Sequence, residues 1–236
     1  MKLSILVPVY NEEKTVEELI RKVYSIKGKG VISDLEIVAV NDCSTDGTLQ
    51  VLKKMEGDGY IKLVSHEKNA GKGAAIRTAI AHATGDVTIF QDADLEYDPE
   101  DIVRMASEIT EKELDILYGS RFIGKETSPL GRFHFFVNGG LTTLSNIFTG
   151  LKLTDMETCY KMFKAEVIKK IEIEENRFGL EPEITAKAAL LVAEENLKIA
   201  EISISYNPRK HNEGKKIGIK DGFRAVYIIL KYGLQR

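Results

Sequence analysis

The sequence predicts an α/β fold, built on a mostly parallel sheet with helices on both of its faces. Short apolar segments bounded by turn residues alternate with longer segments of helical period through the first 120 residues. Such alternation builds right-handed βαβ units, whose strands pair in parallel. Clusters of polar residues directly follow several of the apolar segments. That placement is typical of this class, because ligands bind at the carboxyl ends of parallel strands.

The predicted elements follow in a regular order through the first half of the chain. Strands are predicted over residues 3–9, 36–40, 61–65, 87–91 and 116–118, and helices over 12–26, 45–55, 72–83 and 99–112. The second half breaks the alternation, with helices over 132–148, 165–171 and 181–193 and strands near 160–163 and over 197–206. Because no linker or repeat precedes residue 207, one domain is expected over residues 1–207.

A basic segment closes the chain. Residues 209–236 carry eight Lys or Arg against two Asp or Glu, whereas the whole chain has a net charge of −3. We therefore expect residues 208–236 to form a basic loop and a C-terminal amphipathic helix that meets phosphate groups. The acidic body and the few aromatic residues among the basic ones argue against nucleic acid as a partner. The predicted apolar face of the helix comprises Ile219, Phe223, Val226, Tyr227 and Leu230.

Cysteine content and hydropathy indicate the cellular compartment in which the protein is expected. The two cysteines, Cys43 and Cys159, are too few and too far apart to predict a disulfide framework or a metal cluster. The N-terminal residues do not resemble a signal peptide, and no apolar run approaches the roughly 18 residues that span a bilayer. A cytoplasmic protein is expected, either soluble or lying on the cytoplasmic face of a membrane.

An abrupt acidic segment follows the strand predicted at 87–91. Asp92, Asp94 and Glu96 alternate there, and alternate residues of an extended chain point to the same side. Carboxylates held at such short distances repel one another unless a cation neutralises them. Hard oxygen ligands of this kind favour Mg²⁺ or Mn²⁺. The alternative is that Asp92 and Asp94 only form a turn. Asp98, which precedes Pro99, is expected to cap the next helix.

Two further strand ends carry polar residues. The first strand leads into Tyr10-Asn11-Glu12, and the second into Asn41-Asp42-Cys43-Ser44-Thr45-Asp46-Gly47, where Asp46 is expected to be a helix N-cap. The segment Lys68-Asn69-Ala70-Gly71-Lys72-Gly73 also opens a helix. It either offers free N–H groups and two lysines to an anion or only begins a helix with solvated lysines. Its spacing matches neither a P-loop nor a dinucleotide fingerprint, which argues against an NTPase or a dehydrogenase.

The chain resembles family 2 glycosyltransferases with the GT-A nucleotide-sugar-binding fold. The resemblance rests on Val7-Pro8-Val9-Tyr10-Asn11-Glu12, Asn41-Asp42-Cys43-Ser44-Thr45-Asp46-Gly47-Thr48 and Gln91-Asp92-Ala93-Asp94. It implies that Pro8, Tyr10 and Glu12 line the nucleotide pocket, that Asp42 reads the base edge, and that Asp92 and Asp94 hold a metal bridging the donor diphosphate. The usual Asp-Asp pair stands here as Asn41-Asp42, which leaves guanine and uracil open.

Within that family the chain is similar to the dolichol- or polyprenol-phosphate mannosyl- and glucosyltransferases. The residues that carry this similarity are Gly119-Ser120-Arg121, Arg132, Asp155-Met156-Glu157-Thr158, and Arg209 with Lys215 and Lys216. It implies an inverting hexosyltransferase that moves mannose or glucose from GDP-mannose or UDP-glucose to a polyprenyl phosphate. Asp94, Arg121 and Arg132 would then be catalytic, and Lys72, Arg209 and Lys215 would bind the donor.

The acceptor decides whether a base is needed. A lipid phosphate is already an anion, so its attack requires cations, and Arg121 and Arg132 are suited to gripping phosphate. If the acceptor is instead a sugar hydroxyl of a soluble or lipid-linked glycan, Glu157 or Glu181 is the expected base. A non-catalytic module that binds a nucleotide-sugar or a membrane surface is the third interpretation.

Two helices carry apolar residues with no assigned partner. The helix predicted over 132–148 presents Phe133, Phe136, Val137, Leu141, Leu144, Ile147 and Phe148 at helical spacing. These side chains either lie on a membrane, line a groove for an isoprenoid tail, or pack into the core. The same alternatives apply to the C-terminal helix, whose basic residues suit anionic headgroups, and peripheral membrane contact is expected.

Overall fold

A seven-stranded sheet organises the part of the chain that the structure describes. The structure is a computed structural model and describes residues 1–124, 132–208 and 219–233. The strand order is β3-β2-β1-β4-β6-β5-β7. The strands are β1 (Lys2–Val9), β2 (Asp34–Asn41), β3 (Lys62–Ser65), β4 (Val87–Phe90), β5 (Ile116–Ser120), β6 (Lys161–Lys164) and β7 (Ile199–Ser203). The helices are α1 (Val16–Tyr24), α2 (Thr48–Gly57), α3 (Lys72–His82), α4 (Glu100–Glu111), α5 (Arg132–Thr149), α6 (Ala165–Ile168), α7 (Leu180–Glu195) and α8 (Ile219–Gly233).

The sheet is mostly parallel, which confirms the predicted fold class. β1 pairs in parallel with β2 on one side and with β4 on the other, and β5 pairs in parallel with β7. β6 is inserted antiparallel between β4 and β5. Because β6 runs against its neighbours, the segment that precedes it reaches the edge where β1, β2, β4 and β5 end. That edge therefore collects residues from both halves of the chain.

The core surrounds the central strands. Leu3, Ile5, Leu6 and Val7 of β1 have no solvent exposure, and all four residues of β4 are buried. A strand buried on both faces reads as a nearly continuous apolar run, which Ser4 interrupts in β1 and Thr88 in β4. Helix α1 buries residues at helical spacing against the sheet, and each such side chain contributes roughly 1.5–3 kcal/mol.

Several helices begin later than the sequence predicts. Helix α1 starts at Val16 because residues 13–15 form a turn, in which the N–H groups of Thr15 and Val16 both donate to the carbonyl of Glu12 (3.1 and 3.0 Å). The N-cap of α2 is Gly47 rather than Asp46, although the Asp46 side chain accepts a hydrogen bond from the backbone N–H of Thr48 (3.0 Å). Asp98 likewise accepts from the N–H of Glu100 (3.0 Å), while Pro99 is the N-cap of α4.

Helices α5, α7 and α8 pack against one another. The C-terminal helix is present, but the side chains that it buries are Ala225, Ile228, Ile229 and Tyr232. Three members of the predicted apolar face, Phe223, Tyr227 and Leu230, are exposed, because α5 and α7 pack against the other face of α8. Among the described helices, none is both long enough and apolar enough to cross a membrane.

Helix α5 has an unusual distribution of side chains. It buries Thr142, Ser145 and Thr149, whereas Phe136 and Ile147 are 72% and 71% exposed. The buried hydroxyl groups are hydrogen-bonded: Thr142 accepts from the N–H of Met156 (3.1 Å), and Thr149 donates to the carbonyl of Ser145 (2.8 Å). Core packing therefore does not account for Phe136 and Ile147.

Candidate active site

Three strand ends meet at one edge of the sheet. β1 lies between β2 and β4, and the register places Val9 beside Asn41 and Leu6 beside Phe90. Pairing continues one residue further on each side, since the N–H of Asp42 donates to the carbonyl of Val9 (2.8 Å). The polar segments that follow β1, β2 and β4 are therefore neighbours, as the predicted parallel order requires.

The first two of these segments are tied together. Asn11 and Cys43 both have a positive φ, 53° and 57°, which is uncommon for residues other than glycine. The side-chain carbonyl of Asn11 accepts from the N–H of Thr45 (2.8 Å), and the N–H of Asn11 donates to the hydroxyl of Ser44 (3.1 Å). Pro8, Tyr10 and Glu12, the predicted nucleotide-pocket residues, are half-buried along this segment. Their role in binding a nucleotide stays a prediction.

Asp42 holds a neighbouring loop in place. Its carboxylate accepts hydrogen bonds from the N–H groups of Ala70 (2.8 Å) and Gly71 (2.7 Å), and its Oδ1 lies 2.8 Å from Nδ1 of His66. The other ring nitrogen of His66 lies 2.9 Å from the hydroxyl of Thr78. Asp42 thus fixes residues 66–71 by hydrogen bonds. Its contact with the edge of the nucleotide base stays a prediction.

The segment 68–73 does not offer the free N–H groups considered as an anion cradle. Asp42 takes two of them, and the carbonyl oxygen of Asn176 accepts from the N–H groups of Gly73 (2.9 Å) and Ala74 (3.3 Å). Two glycines permit this approach, since a Cβ on Gly71 would lie 2.2 Å from the Asn176 oxygen. The backbone here is engaged from both sides, which excludes an anion held by these four N–H groups.

Lys72 reaches from this segment into the acidic cluster. Its ammonium lies 2.8 Å from Oδ1 of Asp92 and 2.8 Å from Oε1 of Glu181, and its side chain is 16% exposed. Burial alone would lower the pKa of Lys72, but the charges of Asp92 and Glu181 raise that pKa well above its usual value. Burial likewise opposes ionisation of Asp92, yet Lys72 and a hydrogen bond from Cys159 lower the pKa of its carboxyl. Lys72 is therefore charged and paired rather than solvated.

The three predicted metal ligands, Asp92, Asp94 and Glu96, lie in a bent segment. Residues 93–96 form bends rather than the extended chain on which the prediction was based. Asp94 accepts from the N–H of Glu96 (3.1 Å), and the carboxylate of Glu96 accepts from the hydroxyl of Tyr206 (2.7 Å). Within residues 1–124, 132–208 and 219–233, no group of three Asp, Glu, His or Cys side chains is arranged to hold a metal.

Asp92 and Asp94 still fit a divalent cation that arrives with a substrate. Mg²⁺ is usually bound by one or two carboxylates together with substrate phosphates and water, rather than by a complete protein cage. The carboxylate of Asp92 already faces a cation, the ammonium of Lys72. The oxygen donor set suits Mg²⁺ or Mn²⁺, and it needs further ligands from a diphosphate.

Arg121 follows β5 at the same edge of the sheet. Its Nε and one terminal nitrogen donate to the two carboxylate oxygens of Asp155 (2.7 and 2.8 Å), and its backbone N–H donates to the same carboxylate (3.0 Å). The guanidinium stacks near the rings of Phe122 and Tyr206. Asp155 accepts from two of the five N–H donors of the guanidinium, which fixes its plane.

Two further carboxyl groups lie near Lys72 and Arg121. Glu181 lies in the first turn of α7 and contacts Lys72. Burial, together with the charge of Glu181, raises the pKa of Glu157 to about 7. Among the described residues, the buried Oε1 atom of Glu157 has no hydrogen-bond partner. These are the two residues considered as bases for a hydroxyl acceptor.

Sequence reasoning missed Lys161. Its buried ammonium donates to the carbonyl oxygens of Met156 (2.9 Å) and Thr158, and so shapes the segment that carries Asp155 and Glu157. The available signal was a single lysine inside an apolar strand segment. Three predicted cations cannot be placed: the side chain of Arg132 at the start of α5, and Arg209 and Lys215, lie outside the described part of the chain.

Comparison with known proteins agrees with this architecture. The chain is 32% identical to a dodecaprenyl-phosphate galacturonate synthase of Rhizobium johnstonii, over 98% of this chain and 66% of the relative. It is 27% identical to a dolichol-phosphate mannosyltransferase of Pyrococcus furiosus, over 98% of this chain and 64% of the relative. The chain thus spans about two thirds of the length of these relatives.

Solved structures show the same fold. Glucosyl-3-phosphoglycerate synthase from Mycobacterium tuberculosis, in complex with UDP, superimposes with a TM-score of 0.72 at 18% identity, over 98% of this chain and 80% of that one. Mannosyl-3-phosphoglycerate synthase from Rubrobacter xylanophilus gives 0.73 at 17% identity, over 100% and 74%. These likenesses confirm the GT-A type of fold. The model of the family described as "Glycosyl transferase family 2" matches residues 4–172, and the chain therefore belongs to glycosyl transferase family 2.

Proposed function

We propose that the chain transfers a hexose from a nucleotide-sugar to a polyprenyl phosphate, with inversion at the anomeric carbon. The observation that carries the proposal is the position of Arg121, held by Asp155 at the same sheet edge as Asp92 and Asp94. A buried guanidinium beside a donor site suits a phosphate acceptor. Both relatives described above act, by name, on polyprenyl-type phosphates, and their similarity extends over nearly this whole chain.

The donor end of the site is assigned to the strand ends of β1, β2 and β4. Pro8, Tyr10, Glu12 and Asp42 bind the nucleoside, with GDP-mannose and UDP-glucose as the two donors to be compared. Mg²⁺ or Mn²⁺ on Asp92 and Asp94 supplies a Lewis acid that stabilises charge on the departing diphosphate. A solved structure of the M. tuberculosis synthase contains Mn²⁺ together with UDP, which supports a divalent ion in this fold.

The reaction needs no proton transfer. An oxygen of the lipid phosphate attacks the anomeric carbon, and the bond from that carbon to the diphosphate breaks with its electron pair on the leaving oxygen. Arg121 orients the attacking phosphate and offsets its charge as it approaches the diphosphate. Arg132, Arg209 and Lys215 are the further cations proposed for the two phosphate groups.

Peripheral membrane contact is the second part of the proposal. Phe136 and Ile147 on α5 are exposed, as is Phe223 on α8 (74%), and the two helices pack together. Exposed aromatic and aliphatic side chains on adjacent helices suit an interface with acyl chains. The cations Arg224 and Lys231 of α8 are paired with Glu175 (2.6 Å) and Glu174 (3.1 Å). Flotation with anionic vesicles tests this, and we expect Phe136→Ser with Phe223→Ser to reduce the bound fraction severalfold. Unchanged flotation of the double variant would remove these helices from the membrane contact.

A transfer assay tests the acceptor. Purified chain is incubated with GDP-mannose or UDP-glucose, Mn²⁺ or Mg²⁺, and a polyprenyl phosphate, and the matched control is the same polyprenol without its phosphate. We expect glycolipid from the phosphate and none from the alcohol. Transfer to neither lipid with both donors and both metals would overturn the acceptor assignment, and nucleotide binding without transfer would favour a binding module.

A hydroxyl acceptor is the second candidate, and one observation favours it. Glu157 has a pKa of about 7, the range in which a carboxylate is an effective general base. With a phosphate acceptor, Glu157→Gln should change turnover by less than about threefold. A loss of about 100-fold or more, with donor affinity retained, would favour the hydroxyl acceptor.

A further inference from the structure

The ion pair between Lys72 and Asp92 joins the start of α3 to the segment that follows β4. One ammonium lies 2.8 Å from a carboxylate oxygen of Asp92 and 2.8 Å from one of Glu181. All three groups are largely shielded from solvent, so the attraction is stronger than between surface charges. Asp92 is also the first carboxylate of the predicted metal pair. The ammonium of Lys72 and the proposed metal ion therefore compete for the same carboxylate oxygens of Asp92.

The backbone that carries Lys72 is held on both sides. Asp42 accepts from the N–H of Gly71, and Asn176 accepts from the N–H of Gly73, the residues that flank Lys72. Gly71 has a φ of 97°, and side chains at Gly71 or Gly73 would collide with carbonyl oxygens of residues 175 and 176. Lys72 can therefore leave Asp92 only by rotation of its own flexible stem.

We propose that Lys72 is the resident counter-cation of Asp92 and makes binding of the divalent metal depend on the nucleotide diphosphate. The proposal rests on the donor site assigned above and concerns the order in which that site fills. A divalent ion that binds to Asp92 alone meets the positive charge of Lys72, and their repulsion weakens metal binding. The diphosphate supplies ligands to the metal and a new anionic partner for the ammonium. Glu181 keeps the ammonium in the site while Asp92 changes partner.

This arrangement predicts a specific energetic coupling. In the wild type, the nucleotide should strengthen Mn²⁺ binding, and Mn²⁺ should strengthen nucleotide binding by the same factor, because such coupling is reciprocal. Without the ammonium, Asp92 is available to the metal at all times. The substitution Lys72→Met should therefore tighten Mn²⁺ binding in the absence of nucleotide and reduce the coupling. A lysine that only binds the diphosphate would leave binding of Mn²⁺ alone unchanged.

The test is a thermodynamic cycle on the full chain. The dissociation constant of Mn²⁺ is measured by electron paramagnetic resonance without nucleotide, with UDP and with GDP, for the wild type and for Lys72→Met. We expect Mn²⁺ alone to bind at least about fivefold more tightly to the variant, and the enhancement by nucleotide to shrink by at least about fivefold, the lower end of typical couplings. Lys72→Gln, which keeps a hydrogen-bond donor, replaces Lys72→Met if the latter does not fold and carries the same expectation.

A matched control removes a nearby positive charge but keeps the ion pair between Lys72 and Asp92. Lys68 is exposed in the same segment, so Lys68→Met loses one positive charge nearby and should leave both quantities within about twofold. Equal effects of the two substitutions would overturn the proposal, as would wild-type affinity of Lys72→Met for Mn²⁺ alone. If Lys72→Met binds nucleotide and the coupling between nucleotide and Mn²⁺ is unchanged, this inference is overturned but the donor site is not. Failure of the wild type to bind Mn²⁺ with either nucleotide overturns the donor site as well.

Discussion

The guanidinium of Arg121 is held by the carboxylate of Asp155 through two side-chain hydrogen bonds of 2.7 and 2.8 Å, and both residues are buried. The pair joins the end of β5 to the segment that leads into β6. A buried ion pair of this geometry is costly to break, because removal of one partner leaves the other charged and desolvated.

Replacement of Asp155 tests this relationship. Asp155→Asn keeps the shape of the side chain but leaves Arg121 without a charged partner, so we expect the free energy of unfolding to fall by about 3–5 kcal/mol. Urea denaturation measures the change. The control is Glu18→Gln, which breaks the exposed pair between Lys22 and Glu18 (2.7 Å) and should cost less than about 0.5 kcal/mol. Similar losses in the two variants would contradict the assigned burial.

A second prediction concerns the contact of α3 with residues 175 and 176. A Cβ on Gly73 would lie 2.0 Å from the carbonyl oxygen of Glu175, so Gly73→Ala must displace backbone and should destabilise the chain by about 2 kcal/mol or more. Gly57, at the end of α2, has open space around it, and Gly57→Ala should be neutral or stabilising by up to about 1 kcal/mol. Thermal unfolding of both variants measures the difference, and a stable Gly73→Ala protein would disprove the close approach.

The pH dependence of stability supplies a third prediction. Burial and Glu181 raise the pKa of Glu157 from 4.5 to about 7. As the pH rises from 4.5 to 7, the unfolded chain releases this proton while the folded chain retains it, so the folded state loses stability across that window. Glu157→Gln lacks the effect and should be more stable than the wild type by about 1–3 kcal/mol at pH 8, with a smaller difference at pH 5. A difference between the two proteins that does not change between pH 5 and pH 8 would contradict the raised pKa.

Removal of Asp94, the proposed metal ligand, gives a fourth prediction. Asp94→Asn, or treatment of the wild type with EDTA, should lower hexosyl transfer by about 100-fold or more, because charge on the leaving diphosphate is no longer stabilised. Asp98→Asn is the matched control, since Asp98 lies in the same acidic segment but accepts from the N–H of Glu100 at the start of α4. Turnover in Asp98→Asn should stay within about threefold of the wild type. Full activity of Asp94→Asn in EDTA would show that transfer needs no metal.

The fold followed from the sequence because its signals are local. Each strand of the first half is an apolar run bounded by turn residues, and each helix repeats its apolar residues at the helical period, so both could be read within short windows. The direction of β6 could not be read in this way. A strand near residue 160 was expected, but its antiparallel insertion between β4 and β5 depends on α5 and the following segment returning to the edge at which β5 ends.

The sequence by itself determined the strand–helix order, the edge at which Asp42, Asp92 and Arg121 lie, and the resemblance that led to the family. Only the tertiary structure decided what those residues touch: Asp42 holds the loop of Ala70 and Gly71, and Lys72 pairs with Asp92 and Glu181. It also decided which face of α8 is exposed, a point that the sequence left open. The physical reason is one of range. Periodicity and strand ends depend on neighbours along the chain, whereas an ion pair or a buried helix face depends on which distant elements the packed sheet brings together.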